Sequence, residues 1–179
     1  MKKLLYFAAA ALMMVGTSCQ KDEIGGTATE KLAGQWYVSV DGVDENGDVI
    51  EGFEGMLGSD LIINTYNTSA NTDKVLFVDD LGEIWVFKVR TECDVNALTF
   101  HTANATFDEA NPNNENGDPI SVVISDGKIL PGAGKQKNGS PADSITFLVK
   151  FSDDPYPATY GHAGYRVSGV RYSGLAEND

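Results

Sequence analysis

The chain has little with which to cross-link, metallate or neutralise itself. Two cysteines and two histidines stand in 179 residues, and 13 Lys plus Arg face 26 Asp plus Glu, a formal net charge of −13. So acidic a chain is a poor partner for nucleic acid, whose phosphates are held by clustered Lys and Arg. Nor does such a body lie flat on an anionic membrane. Two histidines and two thiols are too few for the usual His/Cys metal sites, and neither a metal nor a cofactor is implied. No G-x-S-x-G elbow is present for a serine nucleophile. Helical periodicity is missing as well. Beyond the first 18 residues no segment repeats apolar residues at three- and four-residue spacing, and only residues 29–34 could open with a helical turn.

What the chain does have begins at its N-terminus. Lys2 and Lys3 precede an apolar run over residues 4–15, and Gly16-Thr17-Ser18 supply the small residues that a signal peptidase accepts. That run is too short to cross a bilayer, which takes ~20 apolar residues, so residues 1–18 read as a secretory signal. Cys19 follows directly. Small residues ending in a cysteine resemble the lipobox of bacterial lipoproteins, which implies lipid attachment at Cys19 and a mature chain that starts there. Loss of Lys2 and Lys3 then leaves 11 basic against 26 acidic residues, a net −15, and Cys93 as a lone thiol without a disulfide partner. Residues 20–30 are polar and glycine-containing, a flexible tether. Lipidated cysteine and tether together cover 19–31, and one domain of ordinary size follows over 32–179. Gln20-Lys21-Asp22-Glu23 resembles the acidic export signal of Bacteroidetes surface lipoproteins, with a plain solvated linker as the alternative. The implied address is the outer membrane, lipid-anchored and displayed on the cell surface, or else facing the periplasm.

From Leu32 onward the period is two. Trp36, Val38 and Val40 alternate with Gln35, Tyr37 and Ser39, and Trp85, Phe87 and Val89 alternate with Lys88 and Arg90. Ile145, Phe147, Val149 and Phe151 alternate with Ser144, Thr146, Leu148 and Lys150, and Tyr165 and Val167 with Arg166 and Ser168. Each pattern is that of a strand with one buried face. Shorter candidates lie at 61–63, 75–77, 98–101, 120–124 and 128–130. Asn46-Gly47, Asn116-Gly117, Asp126-Gly127 and Asn138-Gly139 supply the positive φ angles of tight turns. Two longer connections, 108–119 and 131–143, are rich in Asn, Gly, Pro and Ser and are expected as surface loops. The sum predicts an all-β fold of eight to ten antiparallel strands. An up-and-down, lipocalin- or calycin-like barrel is preferred, and a two-sheet β-sandwich is the alternative.

Candidate chemistry is sparse. Asp44-x-Asn46-x-Asp48 begins like a calcium loop, but Val49 and Gly55 stand where that loop needs its glycine and its bidentate glutamate, so an acidic hairpin is expected. Gly132-Ala133-Gly134-Lys135 lacks the first glycine, the Ser/Thr and the helix of a phosphate loop. His162 is expected as an exposed loop residue, and Asp79-Asp80 and Asp153-Asp154 as solvated turn carboxylates. Cys93 is expected as a small buried hydrophobe. Arg166 and Arg171 are expected to face outward. The aromatic residues carry the stronger hypothesis. Trp36, Trp85, Phe87, Phe147 and Tyr165 fall on presumed inward faces, where they either fill an eight-stranded barrel or line a cavity for one small ligand.

The chain also resembles the Bacteroidetes lipoproteins grouped as lipid-binding putative hydrolases. The likeness runs from Leu32-Ala33-Gly34-Gln35-Trp36-Tyr37-Val38 through Tyr66-Asn67-Thr68-Ser69-Ala70-Asn71-Thr72 and Val78-Asp79-Asp80-Leu81-Gly82-Glu83-Ile84-Trp85. It continues in Asp143-Ser144-Ile145 and Phe151-Ser152-Asp153-Asp154-Pro155, and ends in 164–172. The resemblance implies a calycin-like barrel and a secreted or surface location, and it transfers no catalytic residue. The expected function is therefore non-catalytic binding of a small apolar or amphipathic, lipid-like molecule, with the membrane reached through Cys19. A surface lipoprotein with a solid barrel and an outer-membrane protein partner is the alternative, and a hydrolase the third reading.

Overall fold

The computed structural model describes residues 26–175. The secretory signal, Cys19 and most of the tether lie outside the described residues. Nine strands follow in order: β1 (Gly34–Val43), β2 (Gly58–Asn67), β3 (Val75–Asp79), β4 (Lys88–Asp94), β5 (Thr99–His101), β6 (Thr106–Phe107), β7 (Ser121–Lys135), β8 (Pro141–Phe151) and β9 (Gly164–Arg171). A five-residue helix, α1 (Tyr156–Tyr160), sits between β8 and β9. Each strand pairs antiparallel with its neighbours in the order β5-β4-β3-β2-β1-β9-β8-β7, and β5 also pairs with β7, which closes an eight-stranded ring. The ninth strand, β6, adds to β7 through Thr106 and Phe107. The fold is the closed antiparallel barrel expected from the sequence. A barrel abolishes the exposed edges that an open sheet of this size would present.

The closing seam is short. It consists of Thr99 opposite Lys128 and Phe100 opposite Gly127, extended by the Ile129 amide donating to the Leu98 carbonyl and the Thr102 amide to the Ile124 carbonyl. Two glycines permit the close approaches. A Cβ at Gly127 would overlap the Phe100 carbonyl, and one at Gly169 would overlap the Tyr37 carbonyl across the β9–β1 seam.

The alternating apolar residues of β1, β8 and β9 turn inward. In β3, by contrast, Leu76 and Val78 do so in place of Val75 and Phe77, the Phe77 ring lying under Lys88 and Arg90. Trp36, Val38, Ile63, Leu76, Val89, Phe100, Ile124, Ile145, Phe147, Tyr165 and Val167 belong to one continuous buried cluster. The end at which β1 begins is the lower end. It holds residues 26–33, the connections 68–74, 95–98 and 136–140, and the final residues 172–175. At the upper end lie the connections 44–57, 80–87, 102–120 and 152–163.

Several local expectations are corrected. Asp126-Gly127 does not turn the chain. Asp126 takes φ 53° inside a single long β7, and the register with β8 slips there, between Ser125 and Lys128. The extra residue forms a bulge that bends β7 around Phe100. Residues 131–135 and 141–143 are strand rather than loop, because the only sharp turn between them is at Asn138-Gly139. Trp85 and Phe87 precede β4 instead of lying on it. Arg171 lies six residues from Tyr165 and so on the same, inward face. There its guanidinium stacks 4.3 Å from the Trp36 ring centroid, donates to the Ala33 carbonyl and pairs with Asp143 at 3.2 Å. It covers the lower end of the barrel. Arg166 faces outward as expected.

Gly127→Ala tests the seam. Forcing a methyl against the Phe100 carbonyl is expected to cost ~1–3 kcal/mol, read as a lower urea midpoint at unchanged m-value.

Candidate functional site

The five aromatic residues singled out from the sequence form a column through the barrel. Trp36 stands at the lower end, its indole N–H donating to Thr65 Oγ1 at 2.9 Å, while Thr65 donates onward to the Leu32 carbonyl at 2.6 Å. Phe147 packs edge-on against Phe100 in the middle, 5.7 Å between centroids. At the upper end Phe151 gathers three of the others. Phe87 lies 5.4 Å from it, Tyr165 6.2 Å, and Trp85 stacks on it at 5.2 Å with planes only 10° apart. Trp36, Phe87 and Tyr165 are 0% exposed and Phe147 is 1% exposed. A void that admitted even one water would leave accessible area on the side chains around it, so these four pack against protein on all sides. Trp85 differs, being half-buried at the rim of the column.

Trp85 owes its place to Asp80. This carboxylate is 1% exposed, against the expectation of a solvated turn residue. Its Oδ1 accepts from the amides of Gly82 and Phe87, and its Oδ2 from those of Ile84, Trp85 and Val86, at 2.7–3.0 Å. Five backbone donors converging on one carboxylate satisfy a whole loop that would otherwise bury unpaired amides. The same winding draws Trp85 and Phe87 out of strand geometry and puts Leu81 at φ 54° and Val86 at φ 62°. For a β-branched residue such a φ is a genuine outlier. Both side chains point outward, 53% and 50% exposed.

The connection between β8 and β9 completes the rim. Trp85 Nε1 donates to Asp153 Oδ1 at 3.0 Å, and Tyr156 meets the indole edge-on at 5.8 Å while its other side lies tilted against Tyr160 at 5.7 Å. Asp154 accepts from the Tyr165 hydroxyl at 2.6 Å and from the Tyr156 amide at 2.8 Å. Burial and this hydrogen bond to a carboxylate push the Tyr165 phenol well above its ordinary range. His162 is buried at 4% exposure, a second correction. The reason lies in its neighbours. Phe53, from the β1–β2 connection, and Tyr165 sandwich the ring at 6.0 and 4.8 Å. Its Nδ1 sits 3.2 Å from the Gly164 carbonyl, and its Nε2 has no partner among the described residues. His101 is exposed beside Glu92 at 3.7 Å. The Cys93 thiol lies against the Asp73 carbonyl, and burial pushes its pKa up, away from a reactive thiolate. Asp44 accepts from the amides of Asn46 and Asp48, the expected acidic hairpin, and these bonds hold its carboxyl below its ordinary pKa.

Phe151, Asp80, Asp153 and His162 belong to the upper rim without having been singled out for a site. Phe151 was legible, since it ends the alternation that contains Phe147. The amides that Asp80 collects all lie within the seven residues that follow it, whereas the burial of His162 carries no local signal, because Phe53 reaches it from another part of the chain.

A small closed antiparallel barrel filled by aromatic side chains, one of them reaching its rim, places the chain in the calycin-like class of barrels. Over residues 21–176 its sequence matches the family model described as lipid-binding putative hydrolase, and the chain belongs to that family. No protein of curated function matches the sequence.

Two outcomes check this geometry. Asp80→Asn leaves two or three buried amides facing an amide group instead of an acceptor. A loss of about 3 kcal/mol or more is expected in denaturant unfolding, from ~1–3 kcal/mol per stranded donor. The raised Tyr165 pKa makes stability complete below the unfolded tyrosine value of about 10 and declining as pH rises beyond it. Alkaline unfolding monitored by phenolate absorbance is expected to begin there, and in Tyr165→Phe to have a shallower pH slope.

Proposed function

We propose that this chain is a lipoprotein anchored through Cys19 in the outer membrane, displayed at the cell surface, which binds a small apolar or amphipathic, lipid-like molecule at its barrel without catalysing its turnover. The observation that carries the binding reading is the half-buried Trp85 stacked on Phe151, where the aromatic column meets solvent amid exposed Leu81, Val86, Tyr156 and Tyr160. An apolar ligand would take the place of Trp85 on Phe151 and reach the column from above. The left-handed backbone at Leu81 and Val86, worth ~1–3 kcal/mol of strain each, makes the 80–87 loop the element that yields. Family membership and the sequence before residue 20 support the lipid-like ligand and the anchor respectively. The non-catalytic part rests on the histidine surroundings, which hold ring faces, a carbonyl and a surface glutamate rather than a hydroxyl or thiol. One observation favours a second reading, a solid barrel acting through a protein partner. Trp36, Phe87, Phe147 and Tyr165 already fill the interior.

Mass spectrometry of the protein purified from its own host separates these. An apolar adduct in the native spectrum, absent after denaturation, is expected together with an acyl mass on the peptide that begins at Cys19. Trp85→Ala, which uncovers the face of Phe151 that the ligand would occupy, is expected to raise adduct uptake severalfold with unchanged far-UV circular dichroism. An apo mass, with no uptake from a mixed lipid extract, would overturn ligand binding and leave the solid barrel. An unmodified Cys19 would overturn the anchor.

A further inference from the structure

The charge of the described chain is divided. Residues 26–120 hold 4 Lys plus Arg against 18 Asp plus Glu, whereas residues 121–175 hold 6 against 4. The second group builds β7, β8 and β9, and their outer wall is not smooth. From the upper end the 44–48 hairpin leans over it, Gly47 lying against Leu148 and accepting through its carbonyl from Arg166. From the lower end the β7–β8 hairpin leans over the same wall, with Gln136 Nε2 donating to the Arg171 carbonyl at 2.7 Å and Lys137 facing Asp60 at 3.8 Å. Between the two hairpins runs a trough of two depressions, about 740 and 170 Å³, that meet over Ser39, Ser168, Gly169 and Val170.

The floor of the trough is set by strand register. Lys128 lies opposite Thr146, Thr146 opposite Ser168, and Ser168 opposite Ser39, so one cation and three half-buried hydroxyls form a row across four strands. None of these hydroxyls has a hydrogen bond within the described residues. Arg166 stands at one side and Lys135 at the other end. Among the described residues Lys128, Lys135 and Arg166 have no carboxylate within ion-pair distance. Around the recess Lys128, Lys135, Lys137 and Arg166 stand against Asp126 and Asp60, so its lining is net positive in an otherwise acidic protein, a local field that favours anions.

We infer that this trough binds a short acidic oligosaccharide, its carboxylates on Lys128, Arg166 and Lys135 and its hydroxyls on Ser39, Thr146 and Ser168. The recess between two hairpins admits a single chain, whereas a flat bilayer could not reach the hydroxyl row. The cations at Lys128 and Lys135 are ~20 Å apart along β7, so a chain of several sugars is needed to approach both. The acidic remainder of the body repels a long, densely charged polymer, which favours a short chain. This site is separate from the aromatic rim, so the lipid reading and this one fail independently.

The test is calorimetric titration of the full chain with tetragalacturonate, with maltotetraose as the neutral match and phosphatidylglycerol vesicles as the bilayer alternative. Binding of tetragalacturonate alone is expected, weakening severalfold between about 50 and 200 mM salt and at least tenfold in Lys128→Gln/Lys135→Gln. Both lysines are exposed and unpaired, so this variant keeps the fold, and its thermal midpoint should match the parent. Arg166→Gln should weaken binding as well. No binding of tetragalacturonate, equal binding of maltotetraose, or unchanged affinity in the double lysine variant would each overturn the inference. Charge-dependent capture of the vesicles alone would replace it with an anionic bilayer.

Discussion

Closure of the ring through two residue pairs between β5 and β7 is the constraint on which the rest of this structure depends. An eight-stranded ring encloses a space only just wide enough for side chains to fill, so once the seam forms, the interior volume is set. The aromatic column fills it, from Trp36 through Phe147 and Phe100 to Phe87, Phe151 and Tyr165. Glycine at 127 and at 169 lets backbone approach backbone where a Cβ would hold the strands apart. The bulge at Asp126 bends β7 so that its first residues meet β6 and its middle meets β5. Without the seam, β5 and β7 would be open edges and the aromatic column would face water.

An acidic chain has carboxylates in excess, and here several serve as acceptors for backbone amides. Asp80 gathers five of them in the β3–β4 connection. Asp108, fully buried, accepts from the amides of Lys88, Ala110 and Asn111 through Oδ1, and Asp94 from those of Asn96 and Ala97. The short connections of a barrel offer few backbone partners of their own, and a carboxylate with two lone pairs on each oxygen can satisfy several amides at once. At Asp80 this has a second effect. It stabilises a loop that exposes two aliphatic side chains in left-handed conformation and tilts Trp85 onto Phe151.

The two ends of the barrel are unlike. The lower end receives the N-terminal segment and is sealed by Arg171 over Trp36. The upper end carries the aromatic rim and most of the exposed large apolar side chains. On the proposed reading the tether leaves from the sealed end, so the ligand-binding rim faces away from the anchor, while the cationic trough runs along the flank between them.

Much of the architecture was legible because a barrel is a repetition of local rules. Period-two alternation placed Trp36, Phe147 and Tyr165 inside, and Asn46-Gly47, Asn116-Gly117 and Asn138-Gly139 are turns with positive φ at each glycine. Asp126-Gly127 has the same dipeptide signature yet is a bulge, because the pairing partner and not the dipeptide decides whether a chain reverses. The apparent strand alternation around Trp85 and Phe87 yields to Asp80, whose carboxylate outcompetes a ladder for the same amides. Burial of His162 depends on Phe53 and Tyr165, and the trough on two hairpins leaning together from opposite ends. The sequence by itself determined the strand class, the inward faces of β1, β8 and β9 and the charge, since these follow from residue type and spacing. Only the tertiary structure decided the closure, the burial of His162 and the grouping of cations, because those depend on which distant segments come together.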